Sequence, residues 1–202
     1  MITRLFDIAA ATVGVVVFVV TYPLVALAIK LDSRGPAIYS QTRVGLRGKR
    51  FTMYKYRSMS HDGHKPYETP KLEPVHFKTF VFTTPMSRLT RVGRFLRATS
   101  LDELPNFWNV LKGDMSIVGP RPEIPELVEQ YPPEYRRRHD VKPGITGLAQ
   151  SKGLRGELRV PALLKKRVKY DMIYVAKWSL LLDFRILIDT AAQIISPPRT
   201  AY

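Results

Sequence analysis

Two adjacent carboxylates, Asp102 and Glu103, lie between Arg97 and Arg121 in a stretch that runs from Arg94 to Pro122. Ser100 precedes the pair and Pro105 follows it, which puts the pair at the start of a helix whose first turn holds the proline. Two readings fit that spacing. In the first, Ser100 with Glu103 three residues on is a capping box, and an acid in a first turn simply suits the helix dipole. In the second, the dipole favours an ionised Asp102 as a nucleophile toward phosphorus, and backbone N–H groups at the same end receive phosphate oxygens. Arg97 and Arg121 would offset charge on a diphosphate. A carboxylate approaching such an anion needs more compensation, for which Mg²⁺ is the usual agent, with Asp102 as ligand as well as attacking group. Glu103 is then a candidate for general-base or positioning work.

The elements that must hold these groups are legible in outline. The chain has 202 residues, 45% apolar, which is enough for one domain with a real core and too little for two catalytic domains. Its net charge of +15 fits an anionic membrane face, phosphorylated ligands or loose nucleic-acid affinity. The absence of cysteine excludes disulfides and thiolate metal sites, and the four histidines lack metal-site spacing. Residues 8–29 carry no charge, a run of about 22 that meets the length of a membrane helix. A signal peptide fits poorly: Asp7 lies in its n-region, the apolar stretch is too long, and no small-x-small site closes it. Pro23 removes a backbone donor inside that run, so the helix either kinks and crosses or breaks and returns as two limbs, 8–22 and 24–31. Lys30, Arg34, Arg43, Arg47, Lys49 and Arg50 follow it, which places the next part of the chain on the cytoplasmic side.

Further along, 41–45 and 50–59 read as short strands around a turn at 45–49, and 61–85 reads as a surface excursion. Residues 101–111 read as helix, 113–122 as a turn-rich loop, 123–139 as one or two short helices, and 142–147 as a glycine-rich loop. Residues 160–175 and 179–195 read as helices. The last is apolar but holds Asp183, Arg185 and Asp189, each costing roughly 2.5–3.5 kcal/mol at a bilayer centre. It therefore belongs at the interface or packed on the domain. Tyr170, Tyr174 and Trp178 suit the headgroup level or plain core packing.

Taken in order, the blocks Gly35-Pro36, Gln41–Gly45, Phe51–Met59, Thr90–Arg97, Ser100–Asn106, Gly113–Pro122, Lys142–Gly147 and Tyr170-Asp171…Trp178–Asp183 resemble the bacterial sugar transferase family, the monotopic phosphoglycosyl transferases, over nearly the whole chain. The resemblance implies a mostly helical α/β protein: a proline-broken re-entrant membrane helix at 1–31, then a catalytic domain at 32–202 with interfacial amphipathic helices. That domain would rest on the cytoplasmic face of the bacterial inner membrane. The implied reaction takes sugar 1-phosphate from a UDP-sugar, releases UMP through an aspartyl-phosphosugar intermediate, and delivers to undecaprenyl phosphate with Mg²⁺. Asp102 matches the nucleophile and metal ligand, and Glu103 its partner. Lys55, Arg57, Arg97, Pro120, Arg121 and Asp183 match positions around the substrate. Arg155 sits one place later than the family's phosphate-binding arginine. Tyr22 stands where many members have serine, and Thr84–Ser87 departs from the usual pattern.

Each of these residues also has a structural reading: Lys55 and Arg57 as a strand's solvated face, Asp183 as the partner of a cation. From other classes, a membrane-tethered nucleic-acid-binding protein would use the same charge, but no nucleic-acid motif accompanies it. A non-catalytic membrane scaffold would tolerate loss of Asp102. The identity of the sugar, the pathway served and whether the chain forms a homodimer are open at this level.

Overall fold

The computed structural model describes residues 2–60, 88–155 and 161–195; the excursion expected at 61–85 lies outside them. The chain is mostly helical with two small sheets. Helix α1 (Ile2–Asp32) is a single element with Pro23 inside it. The hairpin follows as β1 (Ile38–Val44) and β2 (Arg50–Tyr56), antiparallel with Tyr39 opposite Lys55. Next come α2 (Arg91–Ala98), a 3₁₀ turn at Leu101–Glu103, α3 (Asn106–Lys112) and β3 (Ser116–Val118). After α4 (Pro125–Glu129) and a 3₁₀ segment (Pro133–Asp140), β4 (Gly144–Thr146) pairs parallel to β3. Helices α5 (Leu148–Ser151), α6 (Pro161–Lys177) and α7 (Leu180–Ile195) complete the chain.

Helix α1 is apolar on both of its faces, but the faces differ in size. Ala11, Gly14, Ala26 and Ile29 turn inward, while Val13, Val16, Val20, Leu24 and Leu31 are exposed. Small inward residues let other elements approach closely. At Gly14 a Cβ would lie 2.3 Å from the ring of Phe107, so glycine there admits α3 against α1. Thr12 and Thr21 return their hydroxyls to the carbonyls of Ile8 and Val17, which hides polar groups on an apolar surface. Among the described residues α1 is the one helix long and apolar enough to cross a membrane.

Both ends of α1 are tied to the rest of the chain. Near the start, Arg4 donates to the carbonyls of Val110 and Leu111 at 2.6 and 2.8 Å. Asp7, buried, accepts from Ser116 Oγ and the Ile117 amide. Near the end, Asp32 accepts from the Val92 amide at 2.8 Å, and Arg57 gathers the carbonyls of Ser33, Gly35 and Pro36. Ala11 joins the main core with Met53, Val110, Ile117 and Ile186, and Ala26 and Ile29 join a second with Tyr56 and Leu96.

The two segments read as loops contain the parallel pair. Gly119 and Gly144 are there because backbone meets backbone: a Cβ on Gly119 would lie 2.4 Å from the Lys142 carbonyl, and one on Gly144 at 2.1 Å from the Gly119 nitrogen. Glycine density, the usual mark of a loop, is here the condition for two three-residue strands to touch. Of the aromatic residues read as suiting either the headgroup level or the core, Tyr174 is core and Trp178 is exposed. Helix α7 packs on the domain, one of the two placements expected for it. Ile186 is core, while Leu181, Phe184 and Ile188 form an outward apolar stripe.

Candidate active site

The carboxylate pair sits in the 3₁₀ turn directly before Pro105 and α3, where the spacing placed it. The capping box does not form. Ser100 adopts a left-handed backbone (φ 58°) with no side-chain cap, and Glu103 turns away from it. Glu103 Oε1 instead accepts from Lys55 Nζ at 2.6 Å and from Arg121 Nη1 at 3.3 Å. Burial alone would raise Glu103, but the two cations bring its carboxyl down to about 2. The Asp102 carboxylate, 9% exposed, is left out of both bonds. Burial raises its pKa, followed by the opposing field of Lys55 and the reinforcing field of Glu103. The dipole effect expected at a helix start is thus outweighed by desolvation, since a seven-residue helix carries little field and the turn is sunk in the protein.

Lys55, on β2, is itself lowered by burial and held cationic by Glu103. Arg121 is raised: burial opposes, and the fields of Glu103 and Glu123 prevail. Arg97, in the last turn of α2, donates to Ser58 Oγ at 3.0 Å, and its field bears on Asp102. Arg155 reaches Ser100 Oγ at 3.5 Å, which brings it to the rim of the same turn. The structure thus gathers Asp102, Glu103, Lys55, Arg97 and Arg121, with Pro120 beside Arg121 and Arg155 at the edge.

Two expected site residues lie elsewhere. Arg57 is spent at the C-terminal end of α1, where its guanidinium meets exposed helix carbonyls and Ser33 Oγ, so its donors are not available to a substrate. Asp183 accepts from Tyr174 Oη at 2.8 Å and Trp178 Nε1 at 3.0 Å; its partners are neutral donors and its neighbour is Asp7 rather than the pair.

Several residues that position the site escaped the sequence reading. Asn109, fully buried on α3, plugs the edge of β2. Its Oδ1 accepts from the Tyr54 amide, and its Nδ2 donates to the Thr52 carbonyl at 2.7 Å. That amide fixes the carboxylate turn relative to Lys55. The Pro120–Glu123 segment, which lacks two amide donors because of its prolines, is held along its backbone by its carbonyls. Pro120 accepts from the Gly144 amide, Arg121 from Arg138 Nη2 at 2.8 Å, Pro122 from Arg43 Nη1 at 3.2 Å, and Glu123 from the Val44 amide. Arg138 is anchored by Asp171, both 1% exposed, and Glu123 by Arg167. Nothing in the run Arg136-Arg137-Arg138 marks the third as the buried one; only the return of period with Tyr131 and Tyr135 hints at it.

Among the described residues no group of three or more potential protein ligands could hold a metal ion alone. The donor chemistry still suits Mg²⁺, which needs one or two carboxylates and completes its shell with water and substrate phosphate. Asp102 is the carboxylate not bound to a cation; Glu103 is committed.

The site is thus a buried carboxylate beside a second one bound by two cations, on a mostly helical α/β body packed along one apolar helix. The chain belongs to the bacterial sugar transferase family, whose model matches residues 1–197. It is 41% identical over 196 residues to a UDP-glucose:undecaprenyl-phosphate glucose-1-phosphate transferase of Caulobacter vibrioides, covering 96% of this chain and 69% of that protein. It is 40% identical to the exopolysaccharide production protein PSS of Rhizobium leguminosarum bv. phaseoli, covering 96% of this chain and 94% of that one. A protein from Escherichia coli K12 with the same name as the Caulobacter relative is 44% identical over 94% of this chain, which spans 39% of its length. Several relatives are thus far longer: the chain spans 35% of a Xanthomonas campestris relative.

Proposed function

We propose that the chain is a membrane-associated phosphoglycosyl transferase that moves sugar 1-phosphate from a UDP-sugar to undecaprenyl phosphate and releases UMP. The observation that carries the reading is the pair itself: Glu103 clamped between Lys55 and Arg121, and beside it a buried Asp102 outside both bonds. The names borne by the relatives supply the substrate class.

In the first step an Asp102 carboxylate oxygen attacks the phosphorus that bears the sugar. The bond from that phosphorus to the bridging oxygen breaks, and UMP leaves with the electron pair. In the second step a phosphate oxygen of the acceptor attacks the same phosphorus and frees the carboxylate. Lys55 and Arg121 hold Glu103 ionised, and with Arg97 they form a cationic wall against which diphosphate charge is balanced. When bound by Asp102, Mg²⁺ would supply additional charge neutralisation between carboxylate and phosphate.

The membrane reading rests on the ends of α1. A straight helix of 31 residues spans about 46 Å, more than a hydrocarbon core, yet Asp7 and Asp32 are both bonded to the same folded body. A helix with both ends held on one side enters and returns rather than crossing, and Pro23 is where it would turn. The body then lies on the cytoplasmic face of the inner membrane, with the outward stripe of α7 in the headgroup layer.

The test is UMP release from a panel of UDP-sugars, beginning with UDP-glucose, by nanodisc-held protein with Mg²⁺ and undecaprenyl phosphate. Acceptor-dependent UMP from one sugar, lost in Asp102→Asn, supports the reaction and names the donor. Equal release from the variant removes Asp102 as nucleophile.

A further inference from the structure

At the tip of the β1–β2 hairpin lies a second cationic concavity, of about 550 Å³, between the turn, α4 and the 3₁₀ segment. Its rim carries four arginines, Arg47 and Arg50 from the hairpin and Arg136 and Arg137 from the 3₁₀ segment, and its floor includes Val44 and Val128. It is separate from the carboxylate pair: Arg50 and Lys55 are five residues apart on one strand, roughly 17 Å at ordinary strand rise.

The rim is poorly neutralised from within. Arg50 pairs with Glu129 and Arg137 with Asp140 at 3.9 Å, both pairs well exposed and so weakly held. Among the described residues neither Arg47 nor Arg136 forms an ion pair. Arg47 also occupies a left-handed backbone (φ 53°) that glycine or asparagine would take more readily, which holds its side chain at the hairpin tip. The volume falls in the range of small-molecule sites. An apolar floor beneath a guanidinium rim matches a ligand with a flat body and a phosphorylated end, since guanidinium forks pair with phosphate oxygens in twos. The elements around the cleft are also not those on which α1 packs, namely α2, α3 and β3.

We propose that this cleft is a second anion site, which takes a nucleoside phosphate with its base on the Val44–Val128 floor and its phosphates on Arg47 and Arg136. It does not rest on the transferase reading.

Equilibrium titration of the full chain, in nanodiscs of zwitterionic lipid at low salt, with UDP and ADP tests it. The double variant Arg47→Ser, Arg136→Ser should weaken one binding event by about tenfold or more per arginine. The same event should persist in Asp102→Asn, and UMP release should be unchanged in the double variant. Inorganic pyrophosphate, which lacks a base, should bind this site less tightly. Superimposable isotherms for the double variant and the parent protein overturn the proposal. So does a double variant that loses only cosedimentation with anionic-lipid vesicles, because the phosphate recognised would then belong to a headgroup.

Discussion

At Asp102 burial and chemistry pull in opposite directions. Desolvation raises its carboxyl, so the ionised form that the proposed attack requires costs the folded state something that a neutral isostere would not. Asp102→Asn is therefore expected to abolish turnover, by on the order of 10³-fold or more, while leaving the melting temperature at pH 7 equal or higher. A scanning calorimetry trace beside the UMP assay checks both halves. His139 shows the reverse economy of charge. Burial, then the field of Arg138, depresses its imidazole to about 4. The unfolded chain takes up that proton near 6.5, so stability is full above 6.5 and declines as pH falls toward 4, by about 3 kcal/mol at most. His139→Phe should flatten that part of the stability profile in urea titrations at pH 7, 6 and 5. At this scale the sequence was most informative: Asp102, Glu103, Lys55, Arg97 and Arg121 converge. Arg57 and Asp183 lie apart from that group: a basic or acidic letter in a block does not say which partners the side chain will find.

Among the elements, the Pro120–Glu123 segment shows how a site residue is aimed without touching its own side chain. Arg138 holds the Arg121 carbonyl and Asp171 holds Arg138. Asp171→Asn alone leaves a buried guanidinium uncompensated and should cost about 3–5 kcal/mol. Replacing both, Arg138→Met with Asp171→Leu, should restore most of the stability yet leave kcat lower by about tenfold, because Arg121 loses its fixed backbone. If stability and kcat both return to the parent values, the clamp is structural only. The hairpin and the two long C-terminal helices were legible from alternation and helical period. The β3–β4 pair was not, since its residues are few and the glycines that permit contact are those that signal a loop. Asn109 was invisible for a related reason: its importance lies in the strand edge it plugs, and nothing local marks it.

For the molecule as a whole, the length of the apolar segment was plain in the sequence, whereas its path was left open between kink and return. The contacts that bear on the proposed return are tertiary: Arg4 and Asp7 at one end and Asp32 at the other bond to the same body. Single cysteines introduced at Thr3 and Arg34 should therefore react with an impermeant maleimide from the same side of sealed inverted vesicles, and labelling from opposite sides would mean that the helix crosses. The proposed reaction turns on a covalent role for Asp102. Its most direct test is intact-protein and peptide mass analysis of the chain incubated with its UDP-sugar and Mg²⁺ in the absence of acceptor. An added phosphosugar mass is expected on the peptide holding Asp102, chased by undecaprenyl phosphate and absent from Asp102→Asn. Active protein that never carries the adduct under rapid quench, or an adduct on another residue, would contradict it.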